Sequence, residues 1–274
     1  VSWISLRVRP SAGAAEAVSA ALFASGAMGV HEDGPALVTQ FETPDEVEVA
    51  HRSVVAADPS AELEIVPLPD IDWTSEWKRG VRAHRLGDLV VTPPWLADEY
   101  PAESRIVVEP GMAFGTGEHA TTRGVVRLLP RALRDGDRVA DLGAGSAVLA
   151  IAAAKLGAGW VAAVEMDPDA IPDAERNVAV NGETGKVQVI EGDAMLLLPL
   201  IAPVRLILAN IISSVLLELL PIMASSLTQD GQAILSGILL EERPRMLAAI
   251  ADGGWTVVAE DAEEEWWSVL IERR

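Results

Sequence analysis

Val139-Ala140-Asp141-Leu142-Gly143-Ala144-Gly145-Ser146-Ala147-Val148-Leu149 is the stretch on which the fold turns. A short, largely apolar strand ends at Leu142, a Gly-x-Gly turn follows, and helix-forming residues begin at once. Glycine there permits a tight turn and lets a ligand approach the backbone closely. An acidic residue, Glu165, closes the next strand 22 positions after Gly143, where an acceptor for ribose hydroxyls belongs. Any tight strand–helix turn can produce Gly-x-Gly. Strand, turn, helix and distal carboxylate together predict a nucleoside-containing ligand.

Outward from this stretch, strands and helices alternate. The pattern predicts strands at 138–142, 160–165, 187–190, 206–209, 232–236, 256–259 and 267–271, and helices at 146–156, 168–181, 214–225 and 241–251. Continuous apolar runs such as Leu206-Ile207-Leu208-Ala209 suit parallel strands covered on both faces. The last two strands have no helix between them, which predicts an antiparallel edge. The expected fold is α/β: a seven-stranded, doubly wound, Rossmann-like sheet.

Residues 1–69 have a different character. Strands fit 2–8, 29–32, 36–41 and 62–67, and helices fit 12–24 and 45–57. This β-α-β-β-α-β order is the ferredoxin-like split arrangement, a small α+β domain. Residues 70–86 read as a linker helix, with Trp73 and Trp77 four apart, a spacing that suits packing better than a ligand cage. The expected organisation is 1–69, a linker at 70–86, and 87–274.

Composition narrows the function. At 274 residues, 50% hydrophobic and 23% charged, the chain is globular. It has no cysteine, which excludes disulfides, thiolate nucleophiles and Cys-ligated metal. His31, His51, His84 and His119 show no metal-ligand spacing, so no metal is expected. The net charge of −20 argues against nucleic acid and favours cationic partners. Arg7 and Arg9 follow too short an apolar stretch for a secretory leader. The longest apolar tract, 195–221, is broken by Pro199, Pro203, Arg205, Asn210 and Glu218, which are costly in lipid. A soluble, cytoplasmic monomer with no membrane contact is expected.

NAD and S-adenosylmethionine (AdoMet) both use this strand–turn–helix layout. A dinucleotide fingerprint wants a third glycine where Val148 stands. Asp141 adds a carboxylate at the end of the first strand of the larger half. Two unit charges ~4 Å apart at an effective dielectric near 20 interact by about 4 kcal/mol. Such a charge disfavours a pyrophosphate and favours a ligand carrying an ammonium and a sulfonium, as AdoMet does. Asp141 also reads as a helix N-terminal carboxylate held by local N–H groups, and the two readings are compatible. Asp193, in Glu191-Gly192-Asp193-Ala194, reads either as an acceptor for the adenine amino group or as an ordinary turn residue.

Upstream lies Glu109-Pro110-Gly111-Met112-Ala113-Phe114-Gly115-Thr116-Gly117-Glu118-His119-Ala120-Thr121-Thr122, which lacks the Gly-Lys-Ser/Thr ending of an ATP-binding loop. Taken with the loop at Asp141, Asp167-Pro168, Asn177, Asn181-Gly182, Ala209-Asn210-Ile211 and Leu235-Ser236-Gly237-Ile238-Leu239, it resembles the bacterial methyltransferases that modify large-subunit ribosomal protein eleven. The stretch 114–122 is specific to that family, and the other motifs are shared more widely. The resemblance covers the catalytic half, and the amino-terminal half in layout only. It implies a small domain that grips the substrate protein and a linker that lets it swing over a seven-stranded AdoMet-binding domain. It also implies that lysine side-chain amines and the α-amine accept the methyl groups. Carried over by motif, Thr122, Gly143, Glu165 and Asn210 contact the cofactor. Phe114, Gly115 and Thr116 from the glycine-rich loop, and Asp141, Gly145 and Asp193 from the strand ends, join them. Three departures stand out: the family usually has proline where Ala120 stands, glycine where Ala147 stands and aspartate where Glu165 stands. The last two bear on how tightly AdoMet is held.

Methyl transfer from a sulfonium to a neutral amine is an in-line displacement that needs no metal and no covalent intermediate. Asn210 is the expected catalytic residue, its amide oxygen and a neighbouring carbonyl accepting N–H bonds and aiming the amine lone pair. It reads alternatively as a cap for the next helix. Relatives acting on amide or adenine nitrogens carry Asn/Asp-Pro-Pro-aromatic at this point. Asn210-Ile211-Ile212-Ser213 leaves a roomier mouth, suited to an aliphatic amine. His119 reads as a loop brace beside the cofactor rather than a general base. Three other functions compete: an AdoMet-dependent methyltransferase of another protein or small amine, a non-catalytic binding factor on the same fold, and an NAD-dependent reductase. Ala147 and Glu165 keep the second in play, while Asp141 and Val148 speak against the third.

Overall fold

Alternation of apolar and polar residues sets the first strands. The computed structural model describes residues 3–67, 81–109 and 117–274. Its contacts divide the chain into two units, Val1–Gly80 and Val81–Arg274. The first contains β1 (Ile4–Arg9), α1 (Ala15–Ala24), β2 (His31–Asp33), β3 (Ala36–Phe41), α2 (Pro44–Ala57) and β4 (Glu62–Pro67). All pairings in its sheet are antiparallel, in the order β2-β3-β1-β4. That is the split arrangement expected from the sequence. Leu6, Val8, Leu37 and Phe41 share a core with Val18 and Leu22 of α1 and Val47 and Val54 of α2. α2 starts on a capping box, in which Thr43 Oγ1 accepts from the Glu46 N–H and the Glu46 carboxylate accepts from the Thr43 N–H.

The second unit opens with β5 (His84–Leu86), β6 (Leu89–Thr92) and β7 (Arg105–Val107), a small three-stranded sheet. The sequence reading does not anticipate it, because strands of three or four residues carry no periodicity. Trp73, Trp77 and most of the expected linker lie outside the described residues. The last part of that linker, His84–Leu86, is strand rather than helix.

There follow α3 (Ala120–Ala132), β8 (Arg138–Leu142), α4 (Val148–Lys155), β9 (Trp160–Glu165), α5 (Ile171–Val180), β10 (Val187–Glu191), α6 (Ala194–Ile201), β11 (Val204–Asn210), α7 (Ser213–Ser226), β12 (Leu227–Leu239), α8 (Arg243–Asp252), β13 (Trp255–Glu263) and β14 (Trp266–Arg273). Their sheet has the order β10-β9-β8-β11-β12-β14-β13. β14 alone runs antiparallel to its neighbours, as the missing helix before it predicts. Alternate strand residues divide between two cores. Val139, Val161, Leu208 and Ile234 pack with α3, α4 and α5. Ala140, Val164, Ile207 and Leu235 pack with α6, α7 and α8. Adjacent strands β8 and β11 mark the reversal of strand order, where sheets of this kind leave a crevice at the carboxyl ends.

Candidate active site

The loop after β8 is shaped by its backbone. Gly143 has φ +68°, in the left-handed region. The Gly143 and Ala144 N–H groups donate to the Val164 carbonyl at 2.9 and 3.0 Å, fastening the turn to β9. A Cβ on Gly143 would stand 2.7 Å from Ile211 Cγ2, so the loop is pressed against the segment leaving β11. Ala147, the N-cap of α4, also has a positive φ of 63° and is fully buried. A side chain in that conformation costs roughly 1–2 kcal/mol.

A cavity of about 440 Å³ opens at the carboxyl ends of β8, β9, β11 and β12. Gly143, Ala144 and Gly145 line one wall, Thr121 and Thr122 from the first turn of α3 another, and Glu165, Asn210 and Ile211 close it. The Glu165 carboxylate is tied to backbone on both oxygens. Its Oε2 accepts from the Gly145 N–H at 2.7 Å, and its Oε1 accepts from the N–H groups of Met166 at 2.8 Å and Asp167 at 2.9 Å. Asn210 Nδ2 donates to Thr122 Oγ1 at 3.5 Å, at the outer limit of a hydrogen bond. α7 starts with Ile212 at its N-cap and no side-chain cap, so Asn210 does not cap the next helix.

Four of the expected contacts, Thr122, Gly143, Glu165 and Asn210, are brought together here, and Gly145 with them. Asp141 is not in the wall. Odd-numbered residues of β8 face the α4 side of the sheet, and Asp141 is wholly buried there beneath the start of that helix. Neither of its oxygens makes a hydrogen bond of ordinary geometry, although the Ala150 N–H in the first turn of α4 draws its pKa down. Burial, with a smaller push from the negative Glu165, dominates and moves the Asp141 carboxyl up to about 7. Asp141 thus stands behind the loop, buried beside the first turn of α4. Asp193 is exposed and caps α6, one of its carboxylate oxygens accepting from the Met195 N–H at 2.8 Å. Phe114, Gly115 and Thr116 lie outside the described residues. His119 braces the start of α3, its Nδ1 accepting from the Thr121 N–H at 3.4 Å and standing 2.7 Å from Thr121 Oγ1.

Several wall residues escape sequence reasoning. Trp266 lines the cavity and meets the His119 ring edge-on, with centroids 4.8 Å apart. Val148, Leu149 and Val215 supply apolar surface, and Ile212 stands at the rim with 65% of its surface exposed. Gly237 joins them because its φ of +81° and missing Cβ admit the Ile211 carbonyl, which a Cβ would meet at 2.5 Å. Ile211-Ile212 directly after Asn210 is the available signal; Trp266 has none, since only the sheet order brings it near. Among the described residues no group of His, Asp or Glu side chains could hold a metal, and no helix is long and apolar enough to cross a membrane. The residues present fit a nucleoside carrying positive charge. Glu165 faces the cavity, and a second carboxylate, Asp141, lies buried behind the loop.

A family model described as Ribosomal protein L11 methyltransferase (PrmA) matches residues 36–274. The ribosomal protein L11 methyltransferase of Thermus thermophilus is 42% identical over 197 residues, 72% of this chain and 76% of that one. The Myxococcus xanthus protein of the same name is 34% identical over 291 aligned residues, covering 99% of both. The crystal structure of a ribosomal protein L11 methylase from Lactobacillus delbrueckii subsp. bulgaricus superposes with a TM-score of 0.64 at 33% identity, over 71% of this chain and 100% of that one. That match carries the α/β fold, and with the sequence matches it leads to one conclusion: the chain belongs to the ribosomal protein L11 methyltransferase family.

Proposed function

We infer that the protein transfers methyl groups from AdoMet to lysine side-chain and N-terminal amines of ribosomal protein L11. One observation carries the reading: the cavity sets Asn210 and Thr122 opposite the Gly143–Gly145 loop at the reversal of strand order, in a chain of this family. AdoMet, when bound, supplies an electrophilic methyl group on a sulfonium. Glu165 holds the nucleoside end, against the Gly143–Gly145 backbone that its own carboxylate and the Val164 carbonyl keep in place. The buried Asp141, whose carboxyl burial moves up to about 7, adds negative charge behind the loop when a bound cation favours its ionised form. Asn210, at the end of β11, accepts N–H bonds from the incoming amine and points its lone pair along the line of displacement.

Deprotonation of the accepting amine is the energetic obstacle. A lysine with a reference pKa near 10.4 costs about 4.6 kcal/mol to neutralise at pH 7. The apolar lining from Val148, Leu149, Ile211 and Ile212 lowers that cost by disfavouring the cation. Positioning supplies much of the remaining acceleration. In this reading the N-terminal unit recognises the substrate protein. The net charge of −20 suits a basic protein and not a phosphate backbone. The protein then acts in the cytoplasm, as a monomer, without binding nucleic acid directly.

Mass spectrometry of purified L11 after incubation with this protein and isotope-labelled AdoMet tests the reading. Mass gains in steps of one methyl group on lysine or the α-amine are expected. Unmodified L11 in the presence of bound AdoMet would move the activity to another acceptor.

A further inference from the structure

The hairpin of β13 and β14 is tied to α3 by an ion pair beside the cavity. Arg123 meets Glu263 at 2.6 Å through one terminal nitrogen, and its Nε donates to the same carboxylate at 2.9 Å. Its other terminal nitrogen donates to the Glu118 carbonyl. One turn further along α3, Arg127 reaches Glu263 at 2.7 Å and also pairs with Asp261. The Arg123 and Glu263 side chains keep only 20% and 30% of their exposure, so the pair is partly shielded from solvent. Glu264 then takes a positive φ of 56° and turns the chain into Trp266.

The guanidinium therefore holds two segments at once: Glu118, immediately before His119, and Glu263, three residues before Trp266. These are the two rings that pack edge-on in the cavity wall. β9, which ends in Glu165, and β14, which begins with Trp266, are separated by β8, β11 and β12. At ~4.8 Å per strand spacing the two walls stand roughly 19 Å apart across the sheet, with Asn210 between them. A nucleoside held at Glu165 leaves the His119–Trp266 wall to whatever approaches Asn210 from the opposite side.

We propose that Arg123 and Glu263 are positioning residues for the methyl acceptor: their ion pair fixes the His119–Trp266 wall that aligns the accepting side chain, and donor binding does not depend on it. The proposal rests on the methyltransferase reading of the cavity. The full chain tests it in wild type, Arg123→Ala, Arg123→Lys and Glu263→Gln. Steady-state kinetics against L11, AdoMet affinity by calorimetry and the His119 ring-proton shift in the ligand-free protein are the three readouts. The ring-current displacement by Trp266 is calibrated on Trp266→Leu.

Arg123→Ala and Glu263→Gln are expected to lower kcat/KM for L11 at least tenfold, with AdoMet Kd within twofold and the His119 displacement at least halved. Arg123→Lys keeps the charge but not the planar fork and is expected to recover part of the loss. AdoMet affinity falling in step with kcat/KM overturns the proposal, and so does an unmoved His119 resonance. Glu263→Gln preserves shape and an acceptor, so it answers the question even if Arg123→Ala does not fold. Wild type that fails to methylate L11 sinks the functional reading instead, and the ring shift still decides whether the pair holds the wall.

Discussion

Glu165 Oε2 and the Gly145 N–H are joined at 2.7 Å, so the acidic end of β9 is bonded directly to the glycine loop after β8. The same carboxylate accepts from Met166 and Asp167 on its other oxygen. One side chain thus orders both loops that face the nucleoside end of the cavity, and the additional methylene of glutamate over aspartate gives it that reach. Each carboxylate oxygen has two lone-pair sites, so Oε1 is filled by Met166 and Asp167 and one site on Oε2 remains for a ribose hydroxyl.

Glu165→Ala removes the proposed ribose acceptor and leaves three N–H groups to find water. The expected result is a 10- to 100-fold weaker AdoMet Kd by calorimetry, corresponding to roughly 1.4–2.8 kcal/mol. Glu165→Asp, which is too short to hold both loops, is expected to fall between alanine and wild type.

Asp141 makes the ligand-free protein sensitive to pH. Its carboxyl is moved from 3.8 when unfolded to about 7 when folded, chiefly by burial. Between those values the folded state keeps a proton that the unfolded state has released, so stability falls as pH rises from about 4 to 7 and then levels off. Asp141→Asn is expected to flatten this slope and to raise the stability of the ligand-free protein at pH 8 by a few kcal/mol, since every tenfold difference in proton affinity between the folded and unfolded states is worth about 1.4 kcal/mol. Urea denaturation at pH 5 and pH 8 measures it. Equal losses in wild type and variant would show that Asp141 is ionised throughout.

The same group predicts a proton signature for binding. A cation entering the cavity favours ionised Asp141, which at pH 7 is close to half protonated. AdoMet binding at pH 7 is expected to release protons from Asp141, read from the dependence of calorimetric enthalpy on buffer ionisation enthalpy. Asp141→Asn is expected to abolish most of that release.

Much of this is legible in the residues. The strand–turn–helix at Val139–Leu149 and the continuous apolar strands specify a buried parallel sheet, and the helix-free gap at Glu264-Glu265 specifies its antiparallel edge. Gly143, Glu165 and Asn210 reach the cavity because each ends or directly follows a strand whose apolar run is clear in the sequence, while Thr122 comes from the first turn of α3. Illegible features have physical causes. α6 reads Ala-Met-Leu-Leu-Leu-Pro-Leu-Ile, apolar on every side with Pro199 inside, so no helical face shows. β12 begins at Leu227, among polar residues, because a register shift against β11 between Val204 and Leu206 lets the strand start early. Charge alone assigns Asp141 to the ligand, whereas strand alternation sends it under α4. Trp266 reaches the cavity through the order β12-β14-β13, which no local pattern encodes.

Ala147 opposes two effects of similar size. Its left-handed backbone costs roughly 1–2 kcal/mol, which glycine relieves. Its methyl is fully buried in the core beside α4, and removing it costs about 0.8 kcal/mol plus the added chain entropy of glycine. Ala147→Gly is therefore expected to change stability by less than about 1 kcal/mol. Ala147→Val places a β-branched side chain in the same conformation and is expected to destabilise by at least about 2 kcal/mol in chemical denaturation.

Asn210 carries the chemistry in this reading, and its replacement separates orientation from binding. The side chain lines the cavity at the end of β11, its only hydrogen bond among the described residues being the long one to Thr122, so its amide is available to an incoming amine. Asn210→Ala removes an acceptor that matters when the amine lone pair must line up with the methyl group, a state in which small misplacements cost about 100-fold. The expected outcome is a fall in kcat of about two orders of magnitude, with AdoMet Kd changed less than about fivefold. Asn210→Asp keeps an acceptor oxygen but adds a charge that holds the amine protonated, so its activity is expected to recover as pH is raised from 7 to 9. Single-turnover methylation of L11 at saturating AdoMet measures both variants, and turnover by Asn210→Ala at the wild-type rate would remove Asn210 from the reaction.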